Sequence, residues 1–99
     1  MTMHDGIDVT AHGRLFAREV LRRPTLTPDE MPDLARDKVF TSRDAVGRAA
    51  VVAAIRREAG SILVASGHPE PLVRKVLKLE GWWQPGKAKT DQDKGRARR

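Results

Sequence analysis

Neither cysteine nor tyrosine occurs in the 99 residues. Without cysteine, disulfides and thiolate metal sites are excluded, and the composition fits a reducing cytoplasm. No apolar run approaches the ~20 residues that span a bilayer. The first residues, MTMHDGIDV, lack both the basic and the long apolar region of a secretory signal. No membrane partner is expected, and the expected location is cytoplasmic. The groupings that catalysis needs are also missing. There is no Ser/His/Asp or Cys/His arrangement, no glycine-rich phosphate loop, and no carboxylate pair beside an apolar pocket pattern. A chain this short rarely builds its own substrate cavity. The expectation is a protein that is not an enzyme and holds no cofactor. His4, Asp8 and His12 are four apart and would share one face of a helix. Gly6 and Val9 do not favour a helix there, so no metal site is assigned.

What the chain has is positive charge, unevenly placed. Residues 1–40 hold six Lys/Arg and seven Asp/Glu, a balance of −1. Residues 41–83 hold seven and four, giving +3, and residues 84–99 hold six and two, giving +4. A basic C-terminal half points to a polyanion, DNA first and RNA or a membrane surface after it. The length suggests one domain. Residues 1–9 read as a flexible N-terminus, 10–83 as a single helical domain, and 84–99 as a basic disordered tail without apolar periodicity. A core of roughly 75 residues is marginal unless a partner completes it, so a homodimer is expected.

Apolar spacing and end signals predict the helices. Residues 10–23 form the first, with Thr10 as cap, an inner stripe of Leu15, Phe16, Ala17, Val20 and Leu21, and Pro24 as the stop. Thr27-Pro28-Asp29-Glu30 has capping-box order, and Pro32 keeps the helix begun there short or restarts it. In that connector Met31, Leu34 and Ala35 point inward, and Val39 and Phe40 anchor the chain. Residues 43–59 form the longest helix, capped by Thr41 or Ser42, with Asp44 in its first turn. Its inner face is read as Ala45, Ala49, Val52, Ile55 and Ala59, widened by Val46, Ala50 and Ala53. The small residues imply a close helix–helix approach, internal or across a dimer. Gly60 is read as separating this helix from the next.

The stretch 60–83 is read as a short apolar helix, a turn at Gly67, and a second helix over 70–80 that Gly81 ends. Leu72, Val73, Val76, Leu77 and Leu79 recur at helical spacing, with Arg74, Lys75 and Lys78 opposite them. Adjacent Trp82 and Trp83 should point to opposite sides, one onto the core and one outward.

Residues 60–83 resemble the helix-turn-helix of bacterial and phage DNA-binding proteins. LVRKVLKLEGWW is similar to the recognition helix and wing entry of winged-helix regulators. Leu63 stands where that family usually has a small residue, and His68 where an apolar one is usual. The resemblance implies an all-α fold of four or five helices with at most a two-stranded wing, its turn at Gln84–Lys87. It also implies a helix from about Glu70 that enters the major groove of double-stranded DNA. Arg74 and Lys75 would then contact base edges or phosphates, and Lys78 phosphate. Lys87, Lys89, Arg96, Arg98 and Arg99 would add sequence-independent affinity. The expected role is a transcriptional regulator or a mobile-element accessory factor. The alternative is a small phage- or plasmid-type module that binds a protein partner through the Ala/Val helix and the tryptophans, with Ala49, Val52, Trp82 and Trp83 as the interface.

Overall fold

Asp8 is where the chain turns helical. Its carboxylate accepts the Ala11 N–H at 3.1 Å, satisfying an orphan donor of the first turn. The computed structural model describes residues 3, 4 and 6–85. Helix α1 runs Val9–Val20. The cap therefore lies two residues before Thr10, because a carboxylate at Asp8 already reaches the first-turn amides. Before it, β1 (Met3–His4) and β2 (Ile7–Asp8) pair antiparallel, with Met3 opposite Asp8 and His4 opposite Ile7. Of the segment 1–9 that reads as a flexible N-terminus, Met3–His4 and residues 6–9 are therefore part of the fold. Ile7 and Val9 are core residues, flanking the capping Asp8. Burying each contributes about 1.5–3 kcal/mol, which offsets part of the cost of ordering a terminal segment, about 1–2 kcal/mol per residue.

The inner face of α1 is Val9, Gly13, Phe16, Ala17 and Val20. Leu21, expected in that stripe, is 43% exposed because the helix stops before it. The connector then forms a 3-10 turn (Pro28–Glu30), α2 (Pro32–Arg36) and α3 (Lys38–Thr41). Glu30 accepts the Thr27 N–H at 3.2 Å, as the capping order predicts. Asp37 starts α3 by accepting the Val39 and Phe40 N–H groups at 2.9 and 3.3 Å. Leu26, Met31, Leu34 and Phe40 are buried, whereas Ala35 and Val39 face solvent.

Helix α4 runs unbroken over 21 residues, Ala45–Ala65. Gly60 lies inside it, so the two helices expected on either side of that glycine are one. Its N-cap is Asp44, which accepts the Gly47 N–H at 2.8 Å, and not Thr41 or Ser42. The inner face is Val51, Ile55, Ala59 and Leu63. Ala45 and Ala49, expected on that face, are exposed. Helices α1 and α4 cross closely. A Cβ at Gly13 would stand 2.7 Å from Glu58 Cγ and 3.4 Å from the Ala59 backbone nitrogen. Helix α5 (Glu70–Leu77) then folds back on the C-terminal half of α4. The described residues are thus mostly helical, with one short pair of strands at the N-terminus.

Candidate nucleic-acid interface

The α4–α5 connection is built by Gly67, at φ 103°. The His68 N–H reaches back to the Leu63 carbonyl at 3.1 Å and closes the end of α4. Pro69 is the N-cap of α5 and Pro71 lies in its first turn, where missing N–H groups cost nothing. Val73 and Leu77 are buried, and Val76 and Leu79 pack against the core. The opposite face carries Lys75 and Lys78, both exposed.

Helix α5 ends at Leu77 rather than at Gly81. Lys78 takes the left-handed conformation, φ 56° and ψ 50°. Both Lys78 and Leu79 donate their N–H to the Arg74 carbonyl, the latter at 3.0 Å. This closure reverses the chain and returns Leu79 and Trp83 to the surface of α4. There Gly60 makes the room. A Cβ at that position would stand 2.7 Å from Trp83 Cζ2 and 2.9 Å from Leu79 Cδ1. Gly60 is therefore a notch for the Trp83 ring, not a helix break. Trp83 is 3% exposed and Trp82 65%, and the Arg57 guanidinium lies 5.4 Å from the Trp82 ring.

Arg74 fastens this return. Its Nε donates to Glu70 Oε2 at 2.8 Å, and a terminal nitrogen lies 2.6 Å from the same oxygen. Nη1 donates to the Glu80 carbonyl at 2.8 Å and approaches the Gly81 carbonyl at 3.5 Å. Nη2 also donates to the Trp83 carbonyl, while the guanidinium lies 5.2 Å from the Trp83 ring. A guanidinium has five N–H donors in a fixed fork, and internal acceptors surround every nitrogen of this one. The sequence places Arg74 on the outward face with Lys75. The structure makes it the clamp between α5 and residues 80–83, with Glu70 as its counter-ion. Neither is available to a base edge while the clamp is closed.

The other predicted site residues separate in the same way. Lys75 and Lys78 are presented to solvent, whereas Lys87, Lys89, Arg96, Arg98 and Arg99 lie outside the described residues, as does part of the expected wing turn. Of the four interface candidates, Trp83 is buried and Val52 packs against the core, so both are used inside one chain. Ala49 and Trp82 remain on the surface. Asp8 is engaged as a cap, and His12 Nδ1 lies 2.9 Å from the Asp8 carbonyl. Among the described residues no group of three or more His, Asp or Glu could hold a metal, and no helix is long and apolar enough to cross a membrane. The α4 cations Arg56 and Arg57, which in the sequence are only favourable helix-end charges, stand beside the α5 return. Compared with protein-family models, curated proteins and solved structures, the chain matches none of them.

Proposed function

We propose that the chain is a small duplex-DNA-binding protein in which α4, the Gly67 turn and α5 act as a helix-turn-helix. The observation that carries this reading is the charge on the outward face of α5. Its acid, Glu70, is neutralised internally by Arg74, and the residues left facing solvent include Lys75 and Lys78. The C-terminal segment, residues 84–99, holds six Lys/Arg against two Asp/Glu. With Arg74 engaged, base reading falls to Lys75 alone. Lys78 and the tail residues Lys87, Lys89, Arg96, Arg98 and Arg99 contact phosphates. Such a surface binds mainly through counterion release and tolerates many sequences. That suits an accessory factor of DNA transactions better than a regulator of a single operator. A second copy, with its own α5, would double the number of phosphates contacted. The test is anisotropy of a labelled random duplex as salt is raised. Affinity is expected to fall by orders of magnitude from low to moderate salt. No binding at low salt would reject the reading.

A second reading has its own observation. Val46 is 78% exposed, and Ala49 and Ala50 are also open, so the N-terminal half of α4 shows an apolar strip. Such strips mark protein contacts. This reading predicts that Val46→Asp abolishes self-association or partner binding and leaves duplex binding unchanged.

A further inference from the structure

We infer that the cleft between Arg56 and Lys78 is a seat for a backbone phosphate, an inference that rests on the DNA-binding reading and gives it a second contact point away from Lys75. Three parts of the chain meet there: the Pro24–Thr27 segment after α1, Arg56 of α4, and Val76–Lys78 at the end of α5. Phe16, Leu26, Val76 and Leu77 make its apolar walls, with Arg56 and Lys78 as its charged groups. No carboxylate lines it. Among the described residues neither cation makes an ion pair, although Arg22 and Arg74 each hold a glutamate. The cavity is about 20 Å³, the room of one water-sized group, so it takes a phosphate oxygen and not a base.

Lys78 supplies an independent observation. It is the one described residue other than glycine with a positive φ. Glycine takes that conformation without penalty, and an L side chain does not. The Lys78 and Leu79 N–H groups, both donated to the Arg74 carbonyl, hold it there and leave the side chain exposed. The turn that ends α5 thus sets an exposed cation at the rim of a cleft lined by a second one. Thr25, which also lines the cleft, has a hydroxyl of the kind that donates to phosphate oxygens.

The test uses the full chain and two double variants of equal charge. Arg56→Gln with Lys78→Gly removes both cleft cations and leaves Lys78's backbone conformation easier to adopt, so this variant folds. Arg14→Gln with Arg18→Gln removes two exposed cations from α1. For a random duplex, the cleft variant is expected to lose roughly tenfold or more in affinity and about two units of salt slope, with the α1 variant close to wild type. Equal losses in both variants would overturn the inference, since charge alone would then explain them. If wild type binds no duplex, the DNA reading fails, and inorganic phosphate becomes the probe. Saturable amide shifts at Thr25, Leu26 and Lys78, absent in the cleft variant, would uphold the anion seat without DNA. No such shifts would overturn it.

Discussion

Gly60→Ala should destabilise the protein, although by helix propensity alone it should do the opposite. In a helix interior alanine is better than glycine by about 1 kcal/mol. Against that gain, the new methyl would meet Trp83 Cζ2 at 2.7 Å, Trp83 Cη2 at 2.9 Å and Leu79 Cδ1 at 2.9 Å. Carbon pairs settle at about 3.5–4.0 Å, so the ring must retreat by most of an ångström. It is not free to do so. Trp83 is 3% exposed, its carbonyl accepts from Arg74, and the guanidinium lies 5.2 Å from its ring. Overpacking of this kind costs about 1–3 kcal/mol, and expelling a ring that buries about 150–250 Å² would cost about 4 kcal/mol or more. If the ring shifts in place the net is a loss of up to about 2 kcal/mol, or a Tm lower by as much as roughly 16 °C for a domain of this size, and expulsion of the ring raises the loss to about 3 kcal/mol or more. Thermal unfolding followed by circular dichroism measures it, and tryptophan emission reports whether the ring has left the core. Gly47→Ala in the same helix is the control. There the nearest atoms are the flexible Arg43 Cδ and the Asp44 carboxylate, both at 3.2 Å, and stability should rise by about 0.5 kcal/mol. A Gly60→Ala protein more stable than wild type by the about 1 kcal/mol that helix propensity alone gives would refute the notch and the path of residues 79–83 over α4.

Arg74→Ala should cost about 2–4 kcal/mol in urea unfolding, and Arg74→Lys should recover little of it, because an ammonium cannot reach Glu70 and the carbonyls of Glu80 and Trp83 together. A loss below about 0.5 kcal/mol would mean that the clamp is open in solution. Gly67→Val should cost about 1–2 kcal/mol or more by the same assay, since φ 103° strains any side chain; an unchanged midpoint would misplace the turn. Trp83→Ala should remove about 3–5 kcal/mol and Trp82→Ala less than about 0.5 kcal/mol, so the blue-shifted part of the wild-type emission belongs to Trp83.

Sequence signals hold where local physics decides the structure. The glycine at 67 and the capping order at Thr27–Glu30 each act within a few residues, and both stand where the spacing places them; the proline at 24 is not the stop it reads as, since α1 ends at Val20 and the Arg22 and Arg23 N–H groups turn back to the Glu19 carbonyl. Trp82 and Trp83 do point to opposite sides as the sequence suggests, but from a turn closed by the Trp83 N–H on the Glu80 carbonyl at 3.1 Å and not from extended chain. Features that depend on distant partners are not legible in this way. Gly60 looks like a helix break until Trp83, 23 residues later, is seen to fill the space above it. Arg74 looks like an outward cation until Lys78 turns the chain and brings three carbonyls to it. The inner face of α4 excludes Ala45 and Ala49, which periodicity places there, because alanine and valine surround that helix and give the pattern little direction. Within the candidate site, the exposed Lys75 and Lys78 can be read from the sequence. The pairing of Lys78 with Arg56 across a cleft cannot, since it needs α5 to run back along α4.

The most direct measurement is the map of backbone amide shifts when a short random duplex is added to the labelled full chain. DNA binding through α5 and the cleft predicts that the largest changes fall on Lys75, Lys78 and Leu79, extend to Thr25 and Leu26 across the cleft, and spare Val46, Ala49 and Ala50 on the open half of α4. Changes concentrated on Val46, Ala49 and Ala50 with α5 silent would contradict it, and would make the apolar strip of α4 the working surface of the protein.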